Sequence, residues 1–172
     1  MKTKINTVLI AASILVSGWI YWNNEFQVER LLTSHEWQSK MVTVVLPSQA
    51  EPAVGPLRQA DVNSNVKYLT NGTYIRVATA RLYTDNSDNE SVIFISETGD
   101  WSISDNYLLI SPTSFKDDSS PQSKKDFTQE QLQVIAQLFR MEAEQSRRVD
   151  VVNDKTLLLT SLNHGSTVMF AN

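Results

Sequence analysis

Residues 65–115 read NVKYLTNGTYIRVATARLYTDNSDNESVIFISETGDWSISDNYLLISPTSF, and the fold turns on how this stretch is read. Asn65–Thr70, the dipeptide Asn71-Gly72 and Thr73–Tyr83 carry a strong hairpin signal, because Asn-Gly supplies the two positive φ angles of a type I′ turn. Asp85–Glu90 is a polar tip, and Ser91–Glu97 returns as a strand. Thr98-Gly99-Asp100 turns into Trp101–Ser104, and Asp105-Asn106 turns again into Tyr107–Phe115. Strand-like runs separated by such turns predict a meander of antiparallel strands.

The flanks extend the pattern. Upstream, Met41–Leu46 is strand-like, and Pro47–Asp61, with three prolines and a glycine, reads as a long loop. Downstream, Lys116–Asp126 reads as a solvated loop before a helix from Gln129 to about Ser146. Thr128 and Gln131 form a capping box for it, and Phe127 and Leu132 a hydrophobic staple. Leu132, Ile135, Leu138, Phe139 and Ala143 make its apolar face, and Arg147 and Arg148 stand where positive charge suits the helix dipole. Three short strands follow: Val149–Asn153, Thr156–Leu162 and Thr167–Phe170. The predicted fold class is mainly β: an antiparallel barrel of about eight strands with one α-helix packed on its outside. Such a barrel either fills its interior with side chains or holds one small ligand.

Ahead of the barrel, Lys2 and Lys4 precede Ile5–Trp22, which contains no charge and ends in Trp19, Tyr21 and Trp22. Eighteen residues at a rise of about 1.5 Å give about 27 Å, close to the hydrocarbon thickness of a bilayer. The lysines precede the span and the next basic residue is Arg30, so the positive-inside bias places the N-terminus in the cytoplasm. A cleaved signal peptide would need a small-x-small site after the apolar run. Ala11-Ala12-Ser13 lies inside the run, and bulky aromatics follow Gly18. The expected organisation is a cytoplasmic tail (1–4), an uncleaved transmembrane helix (5–22), a membrane-proximal segment (23–40) with a short helix in Asn24–Trp37, and a periplasmic barrel domain (41–172). In a Gram-negative cell this is a single-pass protein of the inner membrane.

Charge narrows the function classes. Beyond the span lie all 19 acidic and 13 of the 15 basic residues, a net charge of −6. A mildly acidic domain has no electrostatic footprint for nucleic acid or anionic lipid. The sequence contains no cysteine, which excludes disulfides and thiolate metal sites.

No catalytic constellation emerges. His164 sits in the turn Asn163-His164-Gly165, and no nucleophile elbow accompanies it. His35, in the membrane-proximal segment, could sense mild acid; an exposed or capped imidazole is the plainer reading. Two distant histidines make a zinc site improbable. Asp85–Glu90 lacks the glycine and terminal glutamate of a calcium loop. No cofactor is expected. Gly99-x-Trp101 resembles the glycine–tryptophan pair of lipocalin-like barrels, where the Trp plugs one end; a core aromatic after a turn is the alternative. In Thr73–Tyr83 one face carries Tyr74, Arg76, Ala78, Ala80 and Leu82 and the other Ile75, Val77, Thr79, Arg81 and Tyr83. Each face holds one arginine, so alternation does not decide which points inward. The two alanines either leave room for a ligand or accommodate a neighbouring aromatic. An inward Arg76 could meet a carboxylate or sulfonate. On strand patterning alone, the candidate ligand-binding residues are Tyr74, Arg76, Ala78, Ala80, Leu82, Phe94 and Trp101.

Several segments together carry a family resemblance: LLTSHEWQSKMVTVV, VKYLTNGTYIRV, SETGDWSISDNYLLISPTSFKD, DFTQEQL, QSRR and TLLLTSLNHGSTVMF. In this order, behind a short basic tail and one span, they resemble the ToxS family of Vibrio-type bacteria. The resemblance implies a periplasmic partner that binds the periplasmic domain of a ToxR-like transcription activator, protects it from proteolysis and raises its activity. It also implies a lipocalin-like barrel, completed with the partner as a heterodimer, that binds bile salts. A purely stabilising partner with a filled barrel is the alternative. The family brings no catalytic motif.

Overall fold

The computed structural model describes residues 12–13, 25–44, 54–84, 91–120, 126–161 and 165–171. The tail, nearly all of the apolar run, the tip Asp85–Glu90 and His164 lie outside the described residues, so those expectations are not addressed by the fold. Among the described residues no helix is long and apolar enough to cross a membrane.

A helix over residues 25–34 (α1) leads into eight strands: β1 (Glu36–Val44), β2 (Leu57–Tyr68), β3 (Thr73–Thr84), β4 (Ser91–Ser104), β5 (Tyr107–Ser119), β6 (Arg147–Asn153), β7 (Thr156–Ser161) and β8 (Gly165–Ala171). A second helix, α2 (Gln129–Ala143), stands between β5 and β6. Every neighbouring pair is antiparallel, and β1 pairs with β8 to close the barrel in sequence order. The barrel of about eight antiparallel strands expected from the sequence is therefore present.

Closure is uneven. β2, β3 and β4 are paired almost throughout. β5 and β6 share only Tyr107↔Arg148 and Leu108↔Arg147. β1 and β8 share only Trp37↔Ala171, Gln38↔Phe170 and Ser39↔Met169, then diverge.

Several boundaries differ from the sequence reading. β1 starts at Glu36 rather than Met41, because Trp37 is already a fully buried wall residue. β2 takes in Leu57–Asp61 from the expected loop, with Leu57, Ala60 and Val62 inward; its polar outer face weakens the alternation signal. β5 carries on through Lys116–Ser119, paired with Ile93–Ser96. The Asn71-Gly72 turn is also different. Gly72 N–H donates to Leu69 C=O (3.1 Å), and of the pair only Gly72 has positive φ (+81°). This is a three-residue loop with a bulged glycine. Asn71 Oδ1 holds it by accepting from Thr73 N–H (3.1 Å) and Thr73 Oγ1 (2.7 Å). The two-residue turn with both φ positive is Asp105-Asn106 (53° and 63°).

Two clusters fill the interior. At the base, Trp37, Tyr68, Tyr74, Trp101, Leu108, Leu157 and Met169 pack with Val28 and Leu32 of α1. Trp101 Nε1 donates to Leu69 C=O (3.1 Å), and Trp37 Nε1 to Leu32 C=O (2.9 Å), so both indoles are anchored where they close this end. Gly99 belongs to the same construction: a Cβ there would stand 2.3 Å from the Ser111 carbonyl oxygen, opposite the bulge between β4 and β5.

In the other half, Ala60, Val62, Ala78, Ala80, Leu82, Ile93 and Ile95 pack against Phe127, Leu132 and Ile135. These strand residues lie on the same inward face as Tyr74 and Trp101. The helix therefore covers the barrel's inner face, not its outside, and this corrects the sequence reading. The capping box is present, with Gln131 N–H on Thr128 Oγ1 (3.2 Å) and Thr128 N–H on Gln131 Oε1 (2.9 Å). Of the expected apolar face, Leu132, Ile135 and Ala143 are buried and Leu138 is exposed.

Replacing Trp101 with Ala is expected to cost about 3–5 kcal/mol, whereas Phe94→Ala on the exposed outer face should stay within about 0.5 kcal/mol. Equilibrium urea unfolding checks both; equal effects would remove the plug role of Trp101.

Candidate functional site in the barrel interior

Between the aromatic base and the helix-filled half lies a belt of polar groups. Glu97 is 1 % exposed and accepts from Tyr74 Oη and from Arg76 Nη2 (2.6 Å). Alternation along β3 and β4 places these groups on one inner wall. Arg147, at the start of β6, reaches the end of α2 and donates to the Glu142 carbonyl oxygen (2.8 Å) and to Glu142 Oε1 (2.5 Å). Positive charge at a helix C-terminus is favourable, so this contact ties α2 to the barrel. The two arginines and two glutamates balance in charge.

Burial dominates the electrostatics. The Tyr68 phenol is pushed up to about 12, mainly by desolvation and against the opposing pull of Arg147 and Arg76. Tyr74 is raised further, by burial and by its hydrogen bond to Glu97. Both phenols are therefore neutral at physiological pH, and Tyr74 donates to Glu97.

Arg76 Nε is buried and has no hydrogen-bond partner among the described residues. Arg76 and Arg147 both line two small cavities. One is about 50 Å³, bordered also by Met41, Ser64, Phe139 and Glu142; the other is about 30 Å³, bordered by Tyr68, Tyr74, Glu97 and Leu159. Each has room for a water or two. Neither approaches the roughly 300–1,000 Å³ of a small-molecule pocket.

The candidate residues thus divide. Tyr74, Arg76, Ala78, Ala80 and Leu82 share the inner face of β3. Ala78 and Ala80 belong to the buried cluster that α2 joins through Leu132 and Ile135, and Ala78 borders the cavity of about 50 Å³ together with Phe139. Trp101 is buried in the base. Phe94 lies apart, 55 % exposed on the outer surface. There it borders a shallow groove of about 620 Å³ with Val77, Asn63 and Lys116. Glu97, Tyr68, Glu142 and Arg147 were not among the candidates. Glu97 could have been flagged, since Ile93, Ile95, Glu97, Gly99 and Trp101 share one parity and a charge on an apolar face requires a partner.

Comparison with known proteins extends this picture. The family described as "Trans-membrane regulatory protein ToxS" matches residues 21–170. The chain belongs to the ToxS family. It is 60% identical over 172 residues to the Transmembrane regulatory protein ToxS of Vibrio parahaemolyticus serotype O3:K6 (strain RIMD 2210633), covering 100% of both chains. It is 59% identical over 164 residues to the protein of the same description from Vibrio cholerae serotype O1 (strain ATCC 39315 / El Tor Inaba N16961), covering 95% of this chain and 94% of the relative. These ToxS descriptions are of regulatory proteins and name no reaction.

Two outcomes test the polar belt. Glu97→Leu leaves a buried guanidinium unpaired and should destabilise by about 3–5 kcal/mol, while the double variant Arg76→Leu/Glu97→Leu recovers part of the loss. In urea unfolding, a double variant less stable than the single would contradict the pairing. Tyr68 is raised from 10.0 to about 12, so the native state holds its proton longer than the unfolded chain does. Its contribution to stability is complete below pH 10 and is lost as pH rises through about 12. Phenolate absorbance should show Tyr68 and Tyr74 ionising last, together with unfolding.

Proposed function

We propose that this ToxS family chain is a periplasmic subunit of a membrane-bound transcription regulator. Its uncleaved helix at 5–22 holds it in the inner membrane with the N-terminus in the cytoplasm. Its barrel, lipocalin-like in having a tryptophan-plugged base, pairs with the periplasmic domain of a ToxR-like activator as a heterodimer. It stabilises that domain and protects it from proteolysis.

The observation carrying this reading is the incomplete β1–β8 seam. Lys40–Val44 and Gly165–Val168 leave one ladder side unpaired and flank a groove of about 630 Å³. Val42, Val168 and Phe170 are exposed along it. The long free edge of β5 carries Pro112, Lys116, Asp117 and Asp118, the residue types that blunt an edge against pairing. Apart from Lys40, the seam has none of them. An unguarded edge suits a partner's strand, which would complete the barrel. Protection then follows from linkage, because a ligand of the folded state alone lowers the unfolded population that proteases cut.

Bile salts are the proposed small-molecule signal. They are amphipathic anions, suited to the apolar wall of Ala78, Ala80 and Leu82 with Arg76 or Arg147 for the anionic tail. With cavities of about 50 and 30 Å³, the interior admits such a molecule only if α2 yields its place or the partner enlarges the chamber. The same filling favours a second reading, a stabilising subunit with no ligand.

The full chain, co-expressed with the activator, should prolong the activator's half-life under periplasmic protease. Val42→Lys/Val168→Lys, two exposed positions at the seam, should abolish that protection without lowering the chain's own melting temperature. Unchanged protection would place the partner elsewhere. Calorimetric titration of the complex with a bile salt should give saturable heat; protection without heat selects the stabilising reading.

A further inference from the structure

We infer that the closed base of the barrel seats on the bilayer surface, with Phe26 in the headgroup layer, so that the helix-filled mouth points away from the membrane. This rests on the membrane-anchored reading above. The apolar run ends at Trp22, and only Asn23 and Asn24 separate it from Glu25. Three residue steps reach at most about 11 Å, while the headgroup layer is about 5–8 Å deep on each side. The start of α1 is therefore held at the interface.

No slack follows. Val28 and Leu32 are buried in the base cluster, and Glu25 Oε1 accepts from the Asp105 backbone N–H (2.8 Å) in the β4–β5 turn. α1 is thus part of the barrel from its first described turn, and the whole domain is tethered short. The same end carries the turns at 69–72, 105–106 and 153–155, because β2, β4 and β6 all run toward it. Phe26 heads the outer stripe of α1, which continues with Glu29, Arg30 and Thr33. It is 61 % exposed, although the base core lies directly behind it. An aromatic ring at this depth gains from the interface what it loses in water. Val44 stands at the opposite end, seven residues along β1 from Trp37, about 23 Å along the strand and, at a barrel tilt of about 35–45°, roughly 16–19 Å farther from the base. An amphipathic ligand consequently reaches the mouth from the aqueous side and not laterally from the lipid.

The absence of cysteine makes single-site nitroxide labelling direct. The full chain in phosphatidylethanolamine/phosphatidylglycerol nanodiscs would carry a label at Phe26→Cys, Glu29→Cys, Thr70→Cys or Val44→Cys. Power saturation with oxygen and a nickel chelate reads depth. The expected oxygen-to-nickel ratio is highest at 26, intermediate at 29 and 70, and that of free solution at 44. A ratio at 26 equal to that at 44 overturns the seating, as does a lipid-like ratio at 44. Carbonate extraction of the same variants from liposomes of that lipid composition tells the anchor from the seating: a chain released into the supernatant defeats the anchor reading itself, whereas a retained chain with a water-exposed label at 26 defeats only the seating.

Discussion

The buried cluster in which Leu132 and Ile135 of α2 meet the inward side chains of β2, β3 and β4 is the constraint that shapes one half of the barrel interior. Two alanines in mid-strand leave a wall too bare to fill half a barrel interior. Leu132 and Ile135 complete that half by entering from a helix. A helix inside the wall needs a way in, and β5 and β6 provide it by pairing over only two residues. The short seam and the small side chains are therefore complementary.

The polar belt marks the border between this helix-filled half and the rigid base. Below it, Trp37 and Trp101 are each fixed by an indole hydrogen bond to a backbone carbonyl. Above it, α2 is held by a few apolar contacts and by Arg147 on the carbonyl and carboxylate of Glu142. Local opening is drawn from regions with few buried contacts and solvent-reachable bonds, so α2 is the element suited to yield. Its departure would free the apolar wall and one guanidinium at the same step. If the proposed bile-salt response holds, a mobile α2 would supply the alternative state that a fully packed barrel lacks.

The antiparallel meander was legible in the sequence from the turn signals at Asn71-Gly72 and Asp105-Asn106. Thr98-Gly99-Asp100, read as a turn, instead lies inside the continuous strand β4 at a bulge, so the two strands expected there are one. The capping box of α2 was legible for the same local reason. The placement of α2 was not, since its apolar stripe fits the outside of a barrel as well as the inside. Its buried neighbours are the inward residues of β2, β3 and β4, far away in sequence. Strand ends were misplaced where polar residues hid the alternation, on the outer face of Leu57–Ser64 in β2 and on both faces of Lys116–Ser119 in β5. At the site, β3 carried an arginine on each face, so orientation waited for Tyr74 and Glu97 to meet across the β3–β4 pair. Phe94 went to the outer surface because it stands one residue out of phase with Ile93 and Ile95. Arg147 drew attention only as a helix-dipole partner, and its contact with Glu142 depends on how β6 leaves the helix.

Amide hydrogen exchange across the full chain, with the periplasmic domain of the proposed ToxR-like partner present and a bile salt added stepwise, tests the role of α2 most directly. A saturable loss of protection confined to Gln129–Ala143 is expected, with the Trp101 base and the β2–β4 wall unchanged. Bile-salt binding that leaves α2 protected, or that deprotects the barrel as a whole, would contradict that role.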